Sequence, residues 1–160
     1  MSTPHLLIVD DEPFNLEIIA EYLEETGYRL TLASGGDLAW EMLSNPQNQF
    51  DLVLLDRMMP GKDGMEVLRL IKADERLKQT PVIMQTAASS PEQVAEGLKA
   101  GAYYYLTKPF EPDTLLAIVR SAVSDLRARE ELRNVVVEYC TALRLANTAD
   151  FSIRTLEEAR

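Results

Sequence analysis

Polar side chains stand where four apolar runs stop. Asp10 and Asp11 follow Leu6-Leu7-Ile8-Val9, and Asp56 follows Leu52-Val53-Leu54-Leu55. Thr86 closes the run that opens Pro81-Val82-Ile83-Met84, and Lys108 lies just past the run from Ala102 to Leu106. Three carboxylates meeting at one place repel unless a cation neutralises them. Oxygen-only ligands suit a hard divalent ion, Mg²⁺ or Mn²⁺. No His or Cys cluster favours zinc, because the chain has one of each, His5 and Cys140. Lys108 is a point charge suited to phosphoryl oxygens, and Thr86 offers a hydroxyl donor. A carboxylate nucleophile, a divalent ion, a lysine and a hydroxyl are the parts of a site that forms an aspartyl phosphate. Taken alone, Asp56 is as well read as a turn cap, and an acidic pair as a solvated turn. The four strand ends together carry the chemistry.

That chemistry needs the four ends on one edge. Unbroken aliphatic runs suit strands buried on both faces, as in a parallel sheet, and open α/β sheets place ligand sites beyond the carboxyl ends of such strands. Helical signals separate the runs. Pro13 suits a first helical position, Phe14, Ile18 and Tyr22 recur at helical spacing beside Leu16, Ile19 and Leu23, and Gly27 ends the helix. Tyr28 to Ala33 alternates as a half-buried edge strand, with Tyr28, Leu30 and Leu32 on one side. Ser34 to Asp37 is a turn before a second helix, which Asn45-Pro46 stops. Pro60, Gly61 and Gly64 mark the loop after Asp56. Asp63 with Glu66, and Ser90 with Gln93, are helix-capping pairs. Gly101 closes the fourth helix. The β-α unit occurs five times, so the expected class is α/β, a five-stranded parallel sheet with helices on both faces.

From Pro112 the helical pattern runs past what a domain needs. Leu132, Val136, Tyr139, Leu143 and Ala146 are spaced alternately four and three apart, like a coiled-coil seam. An unbroken helix to Ala146 is about 50 Å long at 1.5 Å per residue. Asn147 to Asp150 is expected to break it, Phe151-Ser152-Ile153 to form a strand, and Leu156 to begin a helix that the chain end cuts short. The expected division is residues 1–125 as the α/β domain, 126–147 as a helical linker or coiled-coil extension, and 148–160 as the start of a truncated output domain.

The chain has 160 residues, a formal net charge of -10 and 46% hydrophobic residues. That suits one domain plus an appendage. The acidic balance argues against nucleic-acid binding by this segment itself, which needs a basic face. A lone cysteine permits no intrachain disulfide and fits a reducing compartment. No signal peptide or membrane span is visible, so a cytoplasmic protein with no membrane contact is expected.

Over residues 5 to 125 the sequence resembles the receiver domain of two-component response regulators. The resemblance rests on Val9-Asp10-Asp11-Glu12-Pro13, Leu55 to Gly64 (LDRMMPGKDG), Thr86-Ala87 and Leu106-Thr107-Lys108-Pro109-Phe110, in order and at family-like intervals. It implies a flavodoxin-like, CheY-like fold with strand order 2-1-3-4-5. Asp56 would accept a phosphoryl group from the phosphohistidine of a sensor histidine kinase or phosphotransfer protein. Asp11, Asp56 and the backbone carbonyl of Met58 would hold Mg²⁺, with Asp10 acting through a metal-bound water. Lys108 would pair with the phosphoryl group, and its bond to Pro109 would be cis. Thr86 and Tyr105 would be the switch pair. The responding face would be the fourth helix, fifth strand and fifth helix, and a homodimer would form through that face or the C-terminal helix.

In such proteins the positions of Met58 and Ala88 flank the phosphoryl group. Both are apolar and cannot orient an attacking water, so slow hydrolysis is expected. The chain would catalyse only its own phosphorylation and slow dephosphorylation. A phosphatase of the haloacid dehalogenase type is the enzyme alternative, but it needs a second Asp where Met58 stands. A phosphorylation-independent receiver-like interaction or dimerisation module is the other. Asp150 to Arg160 resembles the opening strand and helix of a histidine-kinase-like ATPase domain.

Overall fold

The computed structural model describes residues 2–87 and 90–158, with side chains as far as residue 146. Each apolar run forms a strand: β1 His5–Val9, β2 Arg29–Ala33, β3 Leu52–Asp56, β4 Val82–Thr86 and β5 Tyr104–Thr107. The helices are α1 Pro13–Glu24, α2 Gly36–Ser44, α3 Gly64–Ala73, α4 Pro91–Lys99 and α5 Pro112–Glu158. The strands form one sheet in the order β2-β1-β3-β4-β5, every pair parallel. β1, β3 and β4 are buried along their whole length. Their side chains meet helices on both faces, which is why the sequence runs are continuous rather than alternating.

Two apolar layers sandwich the sheet. On one face Leu6, Ile8, Leu52, Leu54 and Ile83 pack with Leu16, Ile19 and Leu23 of α1 and Leu115, Val119 and Ala122 of α5. On the other, Val9, Val53, Leu55 and Met84 pack with Leu43 of α2 and Met65, Leu68 and Ile71 of α3. The register sets Val9 beside Leu55, Asp56 beside Gln85 and Thr86 beside Thr107. The residues that follow Val9, Leu55, Gln85 and Thr107 therefore emerge along one edge.

Both capping pairs form. The Asp63 carboxylate accepts from the Glu66 N–H at 2.9 Å and the Glu66 carboxylate from the Asp63 N–H at 3.0 Å, while Ser90 and Gln93 do the same for α4. Gly27 and Gly101 take left-handed backbones, φ 69° and 105°, after α1 and α4.

Three expectations are corrected. Phe14 is not on the buried face of α1; it is 69% exposed, because Leu16, Ile19 and Leu23 set the inward stripe. Leu32 is 41% exposed, while Thr31 is half-buried and meets the His5 ring at 2.7 Å. The helix does not break at Asn147 to Asp150, and Phe151-Ser152-Ile153 is helical rather than a strand: α5 continues to Glu158. Asn, Thr and Asp cost a helix only fractions of a kcal/mol each, and neither Gly nor Pro interrupts the stretch.

By contacts the chain divides into two compact units, Met1–Leu126 and Arg127–Arg160. Within the second, Leu132, Val136, Tyr139 and Leu143 are 46–65% exposed, and Cys140 is exposed. Among the described residues no helix is long and apolar enough to cross a membrane.

Candidate functional site

The turn after β1 carries Asp10 and Asp11. Asp10 is fully buried, and its Oδ1 accepts from the Glu12 N–H at 2.9 Å and the Asn15 amide at 3.4 Å. Its Oδ2 accepts from the Lys108 ammonium at 2.7 Å. The same ammonium reaches Oδ1 of Asp56 at 3.4 Å. Asp56 ends β3 and is 6% exposed, whereas Asp11 is half-buried. One carboxylate oxygen from each of Asp10, Asp11 and Asp56 lies within 4.8 Å of the others. One lysine cannot neutralise three carboxylates. The remaining negative charge, the all-oxygen donor set and the open side at Asp11 fit a hard divalent cation. Burial pushes the Asp56 carboxyl up to about 6 from an ordinary 3.8; Lys108 opposes this, and Asp10 and Asp11 add to it.

Local backbone geometry holds these groups. A Cβ on Gly64 would collide with the Asp56 carbonyl and come within 2.8 Å of the Arg57 Cα, so only glycine lets α3 start against the end of β3. Gly61, at φ 72°, turns the intervening loop, and the Lys62–Asp37 ion pair at 2.9 Å ties that loop to α2. The Lys108 N–H donates to the Thr86 carbonyl at 2.7 Å, and the Lys108–Pro109 peptide is cis. Beside Lys108 a groove of about 420 Å³ is lined by residues that include Asn15, Ile18, Tyr22, Pro109 and Phe110.

The structure thus brings Asp10, Asp11, Asp56 and Lys108 together. Thr86 closes β4 and is buried, at 1% exposure. Met58 follows Asp56 by two positions with a side chain 69% exposed, and Ala88 lies outside the described residues. Tyr105 is 8% exposed, and its hydroxyl accepts a hydrogen bond from Arg57 Nη1 at 3.1 Å. Sequence reasoning misses the role of Arg57 and its partner Glu96. The signal available was a cation directly after a buried strand end; the 39-residue gap to Glu96 hid the pairing.

A doubly wound parallel sheet with an acidic cluster and a lysine on its carboxyl edge is the CheY-like form of the flavodoxin-like fold. The family model of the response regulator receiver domain matches residues 6–120, and the chain belongs to that family, whose general role is phosphorylation-dependent switching in two-component systems. It is 36% identical over 151 residues to the uncharacterized transcriptional regulatory protein YkoG of Bacillus subtilis, covering 84% of this chain and 64% of that one. It is 36% identical over 118 residues to the phosphate regulon transcriptional regulatory protein PhoB of Klebsiella pneumoniae, covering 74% and 51%. The chain therefore spans between about half and two thirds of the length of these relatives. A crystal structure of a CheY-like receiver domain protein from Methanospirillum hungatei superposes with a TM-score of 0.74 at 28% identity, over 80% of this chain and 99% of that one.

Proposed function

We propose that this chain is the phosphoacceptor switch of a two-component pathway, working in the cytoplasm with a sensor histidine kinase or phosphotransfer protein as donor. The observation that carries the reading is the Lys108 ammonium lying between Asp10 and Asp56, with the third carboxylate, Asp11, alongside. An Asp56 oxygen attacks phosphorus, the new O–P bond forms as the P–N bond to the donor histidine breaks, and the imidazole nitrogen keeps the electron pair and takes a proton. Lys108 orients the transferring group and offsets its charge. Asp11, Asp56 and the Met58 carbonyl would hold Mg²⁺, or Mn²⁺, with Asp10 acting through a water. When bound, the ion neutralises charge on the phosphoryl oxygens.

The product places a strong acceptor beside Thr86, whose hydroxyl donates to it, and Tyr105 fills the space released. This biases the α4-β5-α5 face. The groove beside Lys108 and the exposed Phe14 on α1 supply apolar surface for the donor protein. Two copies associate through the α4-β5-α5 face or through the seam Leu132, Val136, Tyr139 and Leu143, and an output elsewhere in the full-length protein reads the result. Val136→Asp distinguishes the two routes: it abolishes a dimer built on the seam and leaves one built on the α4-β5-α5 face, as read by sedimentation equilibrium.

The test is intact mass after incubation with acetyl phosphate, with and without Mg²⁺. One phosphoryl group is expected on the native chain, dependent on Mg²⁺ and absent from Asp56→Asn. No adduct on a folded chain from either acetyl phosphate or phosphoramidate would replace this reading by the phosphorylation-independent interaction module.

Because Met58 offers no hydrogen bond to water, the phosphoaspartate is long-lived. Met58→Asn should shorten its lifetime roughly tenfold or more, a modest share of what positioned polar groups contribute to proton transfer. The decay of the mass adduct reads this; a native decay that Met58→Asn leaves unchanged removes the argument.

A further inference from the structure

Arg57 follows Asp56 in the chain, and its backbone has little freedom. Its N–H donates to the Gln85 carbonyl at 2.8 Å, and its carbonyl accepts from the Gly64 N–H at 2.9 Å. These bonds tie it to β4 and to the start of α3. Its side chain, only 12% exposed, reaches α4. Nη2 donates to the Glu96 carboxylate at 2.8 Å, and Nη1 lies 3.4 Å from the Gln93 carbonyl and 3.1 Å from the Tyr105 hydroxyl. Arg69 of α3 meets the other oxygen of Glu96 at 3.1 Å. A planar fork serves three acceptors at fixed angles, which the single ammonium of lysine does not.

One edge of the tyrosine ring is shaped to match. A Cβ on Gly97 would sit 2.7 Å from Cε2 and 2.8 Å from Cδ2 of Tyr105. Gln93, Glu96 and Gly97 are three and four positions apart, so they share one face of α4. That face presents a carbonyl and a carboxylate to Arg57 and a bare backbone to the ring. Tyr105 is thereby gripped at its hydroxyl and seated at its edge.

We propose that Arg57 is a positioning residue that clamps Tyr105 against Gly97, so that burial of the Tyr105 ring on α4 is set by the residue covalently next to Asp56. The proposal deepens the reading of Asp56 as phosphoacceptor and rests on it for its signalling consequence. The clamp holds the ring buried before any phosphoryl group arrives. Phosphorylation then acts on an equilibrium already biased toward the buried ring, and Arg57 is a route from β3 to α4 parallel to Thr86.

The test uses the full chain labelled with 3-fluorotyrosine. The chain has six tyrosines, and Tyr105→Phe assigns the Tyr105 resonance. Broadening of that resonance by a soluble paramagnetic chelate reads its exposure. Arg57→Leu is expected to raise the exposed-to-buried ratio on the order of tenfold, as suits a lost hydrogen bond from a charged donor. Arg57→Lys is expected to restore less than half of that effect. Gly97→Ala is expected to expel the ring while Arg57 and Glu96 stay intact, and alanine favours the helix, so folding is retained. After acetyl phosphate and Mg²⁺, the ring in Arg57→Leu should close more than in the native chain, having started more open.

The same samples are weighed for the phosphoryl adduct. If the native chain takes no phosphoryl group, the phosphoacceptor reading fails whatever Tyr105 does. If it is phosphorylated normally and the Tyr105 resonance of Arg57→Leu and Gly97→Ala stays as protected as in the native chain, the clamp is overturned. A purely structural Arg57 would lower the melting temperature and leave the Tyr105 resonance of the folded protein unmoved, which also overturns it.

Discussion

With Asp56 as the proposed phosphoacceptor, Lys108→Met is expected to lower the rate of phosphoryl transfer from acetyl phosphate roughly 10²–10³-fold, the usual cost of removing a group aimed at developing charge. The same change has a second consequence. Among the described residues Lys108 is the cation paired with Asp10 and Asp56, at 2.7 and 3.4 Å, and Asp10 is wholly buried. Removing one partner of a buried ion pair leaves uncompensated charge and costs about 3–5 kcal/mol. Urea denaturation of Lys108→Met in metal-free buffer at neutral pH should show that loss. Saturating Mg²⁺ should recover much of it, because a divalent ion answers the same carboxylates. An equal loss with and without Mg²⁺ would mean that Lys108 stabilises by packing its stem, not by its charge.

Asp56→Asn should have the opposite effect on stability. The Asp56 carboxyl titrates at about 6 in the fold against 3.8 ordinarily, chiefly because burial disfavours its charged form. With its folded value above its unfolded one, the group opposes folding once ionised. Below pH 3.8 it is protonated in both states and neutral to stability. Between 3.8 and about 6 the unfolded chain loses the proton first, and stability falls. Above about 6 the loss is complete, at about 3 kcal/mol for a displacement of two pH units. Asp56→Asn should therefore stabilise the metal-free protein by about 3 kcal/mol at pH 7 and change it little at pH 3.5. Thermal melts across that range measure it. A variant no more stable than the native chain at pH 7 would show that Lys108 already offsets the burial of Asp56.

Much of the sheet and site was legible because burial on both faces leaves an unmistakable mark. Leu52 to Leu55 and Leu6 to Val9 have no polar interruption, and the first polar residue after each run marks the functional edge. Capping pairs were equally plain, since Asp63–Glu66 and Ser90–Gln93 act within four residues. What failed was either weakly patterned or nonlocal. Phe14 has the type and spacing of a core residue, but α1 needs only a narrow inward stripe, which Leu16, Ile19 and Leu23 fill. Leu32 lies on the outermost strand, where one side meets few neighbours and alternation loses its force. Asn147 to Asp150 interrupts the apolar spacing, yet the penalty of those residues is small against a helix already propagating. Arg57 and Glu96 meet across 39 residues, and no short-range rule ties a cation at a strand end to a carboxylate on a helix two elements later.

The strand order has a consequence for how the chain acquires its structure. β2, β1 and β3 are contiguous in the sheet, and all three carboxylates ride on the ends of β1 and β3. Lys108 arrives 52 residues after Asp56 and only with the opposite edge strand, β5. During synthesis the first half can assemble its neighbours in order, but it then holds three like charges with no lysine. Such a half-built sheet is penalised by its own functional site. Until β5 brings Lys108, or a divalent ion binds, that repulsion disfavours partial structures, so the residues of the candidate site also favour cooperative folding.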